Sequence, residues 1–122
     1  MIILRQKQYT YLLDKYTTLV YNNKEVPSFD ELGYTNLIKK LSSKEKIIDE
    51  IYADCGWLKS RGFKKKDLKT MINKLYKVIV KKNRYIELRV YFDVPGYKME
   101  WLTCRYDFSG NKLNHWNTDE IE

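Results

Sequence analysis

The chain has 122 residues, 43% of them hydrophobic and 15% aromatic, which suffices for one compact domain with its own core and is too little for two. Twenty-three lysines and arginines face sixteen aspartates and glutamates, and the resulting net charge of +7 sits wholly within residues 59–122. No run of about eighteen apolar residues offers a membrane span, and two cysteines, Cys55 and Cys104, are too few for a disulfide framework.

The opening Met-Ile-Ile-Leu-Arg is too short for a signal-peptide core. A soluble, cytoplasmic protein with two reduced thiols is expected. Within residues 6–21, Tyr9, Leu12, Leu13, Tyr16, Leu19 and Val20 recur at helical spacing and predict a first helix, ended by Asn22-Asn23. Val26-Pro27-Ser28 opens a loop. Phe29, Leu32, Leu37, Ile38 and Leu41 then predict short helical turns interrupted at Gly33. Ser42-Ser43-Lys44-Glu45 has the spacing of a capping box, with Ser42 as the N-cap of a helix that buries Ile47, Ile48, Ile51, Tyr52 and Cys55. Gly56 weakens its continuation and Gly62 offers a stop.

Residues 67–82 carry Leu68, Met71, Ile72, Leu75 and Ile79 at three- and four-residue steps, which predicts a buried helical stripe. On a helix, Lys66, Thr70, Lys74, Lys77 and Lys81 project within a sector of roughly 80° on the opposite side. Between Lys59 and Arg84 eleven basic residues stand against Asp67 alone. Lys66, Lys74, Lys77, Lys81 and Arg84 are therefore the expected contacts to a polyanion. A merely solvated lysine face is the bland alternative. Asn83 is expected to cap this helix.

From 85 to 94 the period becomes two, with Ile86, Leu88, Val90, Phe92 and Val94 on one face and Tyr85, Glu87, Arg89, Tyr91 and Asp93 on the other. A turn at Pro95-Gly96 sets Phe92 against Met99, Val90 against Trp101 and Asp93 against Lys98. Tyr85, Arg89 and Tyr91, with Tyr106, form a possible partner-binding strand face. Ser109-Gly110-Asn111 is a second turn, after which residues 112–117 return as a third strand and carry Trp116 to the same core as Trp101. The expected fold is α+β: three or four helices over residues 6–82 packed on an antiparallel two- or three-stranded meander over residues 84–117, followed by a short acidic tail at 118–122.

Chemistry is sparse. His115 is the sole histidine, the cysteines form no close pair, and the five glycines are scattered, so no metal, no phosphate-cradling loop and no cofactor is expected. Lysine outnumbers arginine by 18 to 5, which favours diffuse phosphate attraction over reading of base edges. The leading expectation is a small non-catalytic protein that engages nucleic acid, a nucleoprotein complex or an acidic protein surface through its basic face. Phage-encoded and other mobile-element regulators and inhibitors, the anti-CRISPR type among them, have this description. The alternatives are a protein-interaction module without nucleic-acid affinity, and a small basic toxin-like ribonuclease using Tyr85, Glu87, Arg89 and His115.

Overall fold

A computed structural model describes residues 11–72, 74–94, 96 and 100–118. The first strand, β1 (Thr18–Tyr21), turns at once into β2 (Lys24–Glu25). Asn22 and Asn23 both take positive φ, 47° and 70°, as a two-residue type I′ hairpin requires, and asparagine tolerates that region better than most residues. The asparagine pair thus makes a hairpin, not a helix end. The helix expected over 6–21 gives way because Thr17 to Tyr21 is a β-branched and aromatic run. Before it, Asp14 closes a tight turn by accepting the Tyr16 amide at 2.8 Å, and the Thr17 hydroxyl donates to the Leu75 carbonyl at 2.7 Å. Residues 6–10 of that expectation lie outside the described residues.

A 3-10 turn (Phe29–Leu32) leads through Gly33, at φ 68°, into α1 (Thr35–Leu41) and α2 (Lys44–Asp54). The helix start near residue 43 is as expected, but the capping box is not. Ser43 is the N-cap, and the Ser42 hydroxyl donates instead to the Lys39 carbonyl at 3.1 Å. α3 (Gly56–Ser60) ends as Gly62 foretells: the Phe63 amide reaches the Leu58 carbonyl and the Gly62 amide the Lys59 carbonyl, both at 3.0 Å, with Gly62 at φ 85°. That pair of bonds is a Schellman motif.

The long basic helix is absent. Of the described residues within 67–82, only α4 (Leu68–Met71) is α-helical, after a 3-10 turn at Lys65–Asp67, and β3 (Leu75–Lys81) follows. Helical spacing accounts for Leu68, Met71 and Ile72, but it sets Val78 at the edge of the apolar stripe and Val80 about 80° outside it. As a strand, the segment buries both of them completely together with Leu75. The run Tyr76-Lys77-Val78-Ile79-Val80 is also richer in strand formers than in helix formers. Asn83, at φ 64°, serves the tight β3–β4 turn rather than a helix end.

β4 (Tyr85–Phe92) and β5 (Glu100–Tyr106) complete a mixed sheet of order β2-β1-β3-β4-β5. β1 and β3 run parallel, and the other neighbours are antiparallel. A parallel pair needs a long crossover, and α1 to α4 lie within it. The helices are therefore interleaved with the sheet, which corrects the expectation of an N-terminal helical layer on a C-terminal meander. One core joins Ile38, Leu41, Ile47, Ile51, Leu58, Leu68 and Ile72 to the inner sheet face of Val78, Val80, Ile86, Leu88, Val90 and Phe92.

The β4–β5 register differs by one residue from the expected one: Tyr91 pairs with Trp101 and Val90 with Leu102. A one-residue slip moves every side chain of a strand to the other face. Leu102, Cys104 and Tyr106 are consequently core, while Trp101 is 39% exposed on the outer face. Met99, Lys98 and Pro95 from the expected turn, and residues 119–122 of the acidic tail, lie outside the described residues. Residues 112–117 run back beside β5 through two isolated bridges, Tyr106 to Lys112 and Thr103 to Asn117, rather than as a third strand; Trp116 is buried as expected, but in a core that Trp101 does not share.

Candidate nucleic-acid interface

With the helices packed on one sheet face, the register assigns Thr18, Val20, Lys77, Ile79, Lys81, Tyr85, Glu87, Arg89, Tyr91, Trp101, Thr103 and Arg105 to the other. At the start of β3 the register shifts between Leu75 and Lys77. The extra residue of this bulge lets Leu75 enter the core while both Tyr76 and Lys77 join the outer face. Tyr76 then meets Tyr91 edge-on at 4.9 Å and Trp101 at 4.5 Å, and Tyr91 and Trp101 stack at 5.5 Å with 22° between their planes.

Cations border these rings. The Lys74 ammonium lies 6.0 Å from the Tyr91 ring and 5.4 Å from that of Tyr16, and the Lys77 ammonium lies 5.7 Å from the Tyr76 ring. At the far end, Arg105 lies 4.1 Å and Lys81 5.7 Å from the Tyr85 ring. In the middle, Glu87 is only 1% exposed although it points away from the described helices. Its two oxygens accept from Nε of Arg89 at 2.7 Å and Nε of Arg105 at 2.9 Å. A buried carboxylate needs such partners, and in return it fixes the direction of two guanidinium groups.

Of the residues singled out by sequence, Lys74, Lys77, Lys81, Tyr85, Arg89 and Tyr91 are thus brought together, on a sheet rather than a helix. Lys66 is not among them: it lies in the 3-10 turn before α4, within the helical layer. Arg84 sits exposed in the β3–β4 turn, at the rim. Tyr106 is in the core and belongs to neither group. Tyr76, Trp101 and Arg105 escaped sequence reasoning because a bulge and a one-residue register change place them. The ribonuclease quartet is divided, since His115 engages Asp54 of α2 on the helical side, whereas Tyr85, Glu87 and Arg89 belong to the outer sheet face.

His115 belongs instead to a strap between α2 and the C-terminal segment. Asp54 accepts from the Lys112 ammonium, from the Trp116 amide at 2.9 Å and from His115 Nδ1 at 3.2 Å. One turn earlier, Glu50 accepts from the Tyr106 hydroxyl, and from the Trp116 indole at 3.1 Å. Burial pushes the Asp54 carboxyl up, but Lys112, the Trp116 amide and His115 outweigh it and hold it below its usual 3.8. A lowered carboxyl stabilises the fold above its unfolded pKa and ceases to as pH falls through the folded one. Urea midpoints of the parent are therefore expected to fall more steeply than those of Asp54→Asn between about pH 5 and pH 2. Equal slopes would remove the strap from the account of stability.

Burial lifts the Cys55 thiol to about 11, aided by the Asp54 charge, and the Cys104 thiol to about 12. Neither supplies a thiolate nucleophile near neutral pH. Among the described residues no cluster of histidine, cysteine, aspartate and glutamate is arranged for a metal ion, and no helix is long and apolar enough to cross a membrane. A second basic concavity, about 480 Å³ in volume, lies on the helical side and is lined by Tyr11, Asn36, Lys39, Lys40, Ser43 and Lys46. Lys46 there is already paired with Glu50. No protein-family model matches the chain, nor does any curated protein or solved structure.

Proposed function

We propose that this chain is a non-catalytic nucleic-acid-binding protein whose interface is the sheet face opposite the described helices. The observation that carries the reading is the gathering of Lys74, Lys77, Lys81, Arg89 and Arg105 with Tyr76, Tyr91 and Trp101 on that one face. Cations supply attraction to phosphate, and aromatic faces supply stacking that tolerates any base. By occupying nucleic acid, such a protein would act as a regulator or inhibitor of a nucleoprotein complex, and the reducing cytoplasm suits its two buried free thiols.

The test is the salt dependence of binding to a labelled oligonucleotide. Counterion release lowers log K by about 0.7 per phosphate neutralised on a single strand and about 0.9 on a duplex. With four cations engaged, a slope of about −3 against log salt is expected. Absence of binding at low salt, or an affinity indifferent to salt, would defeat the proposal and leave a protein-interaction module as the better reading.

A further inference from the structure

The same face has an internal order along β4. The outward row of Tyr91 and Trp101, joined by Tyr76, adjoins the row of Arg89 and Lys77; the row of Glu87 and Arg105 comes next, then that of Tyr85 and Lys81. Successive outward rows lie about 7 Å apart. That spacing is of the order of the distance between a base and the phosphate of its own nucleotide. Trp101 is 39% exposed, and the ring beneath it, Tyr91, is stacked on it, so the indole is supported as a platform. Arg89 cannot wander, because its Nε is held by Glu87 at 2.7 Å, while its side chain remains 24% exposed. Among the described residues this is the one ion pair that Arg89 makes. Its terminal nitrogens therefore remain available to a phosphate, in the planar geometry that suits one.

We infer that this face takes single-stranded rather than duplex nucleic acid, with a base stacked on Trp101 and the adjoining phosphate held by Arg89 and Lys77. The inference rests on the nucleic-acid reading above and adds strandedness and register to it. A paired base already has both faces occupied by its neighbours, so an aromatic platform offers it nothing, whereas an unpaired base can turn onto the ring. Glu87 is a positioning residue in this arrangement. It touches no ligand and sets the direction of the arginines that do.

The experiment compares one labelled 12-nucleotide sequence as a single strand and as a duplex, at matched salt over a series rising from low concentration, with the parent, Trp101→Ala and Arg89→Ala. The parent is expected to bind the single strand at least tenfold more tightly. Trp101→Ala should lose roughly 5- to 150-fold of that affinity, the 1–3 kcal/mol of one stacked base, and bind the duplex as the parent does. Its salt slope should be unchanged, whereas Arg89→Ala should make the slope shallower by about 0.7. Because Trp101 and Arg89 lie outside the core, their melting curves report whether either variant has unfolded. Equal or tighter binding of the duplex, or full single-strand affinity in folded Trp101→Ala, would overturn the inference while leaving the nucleic-acid reading intact. Failure of the parent to bind either form would overturn both.

Discussion

Changing Lys74, Lys77 and Lys81 together to glutamate is expected to lower oligonucleotide affinity on the order of 10²–10³-fold at physiological salt, with little change in melting temperature. The large effect follows from reversing three charges that the sheet brings to one face. The small one is a balance: the contacts of these side chains are to the rings of Tyr16, Tyr91, Tyr76 and Tyr85 at the surface, and their loss is offset because the change relieves repulsion within a strongly basic face. Reversing Lys39 and Lys40, which line the helical-side cleft, makes two of the same charge reversals away from the sheet. Affinity there should stay within about threefold of the parent, because screening weakens exposed charges beyond about a Debye length. Undiminished binding by the folded triple variant would remove the sheet face from consideration, and loss of binding in the Lys39/Lys40 variant would transfer the site to the cleft.

The largest expected effect on stability belongs to Trp116→Ala. This indole is 2% exposed and donates to Glu50, so truncation opens a cavity and deprives a carboxylate of a partner. A cost of about 3–5 kcal/mol follows from the cavity alone, against a total stability of about 5–15 kcal/mol for a domain of ordinary size. The melting temperature should drop by roughly 10–20 °C. Trp101→Ala, at a side chain of the same size on the outer face, should move it by only a few degrees. Equal shifts in the two variants would contradict the assigned burial of one tryptophan and exposure of the other.

That contrast also marks what the sequence conveys and what it withholds. β4 was legible because its alternation is strict from Tyr85 to Phe92, and α2 because Ile47, Ile48 and Ile51 form a clean stripe. The segment after Leu68 was misread because two periods overlap in it. Leu68, Met71 and Ile72 obey the helical one, and Val78 with Val80 obeys the strand, so a pattern that spans the junction averages the two. Asn22-Asn23 carried a usable hairpin signal that was outweighed by the helical spacing of the residues before it. The outer face was only half legible. Lys77, Lys81, Tyr85, Arg89 and Tyr91 follow from alternation once the strands are known, but Trp101 and Arg105 depend on the β5 register, and Tyr76 on a bulge. Those are settled by packing between segments distant in the chain, which no local window contains.

The parallel pairing of β1 with β3 has a bearing on how the chain reaches this state. It unites segments whose hydrogen-bonded residues Thr17 and Leu75 stand 58 positions apart, whereas β4 pairs with its neighbours across short connections. Closing a long loop costs entropy before any contact repays it, and rates fall as contacts become less local. During synthesis β1 leaves the ribosome well before its partner exists. The earliest-made of the described strands is thus expected to be among the last to find its place, with the β3–β4–β5 hairpins organising while β1 still waits.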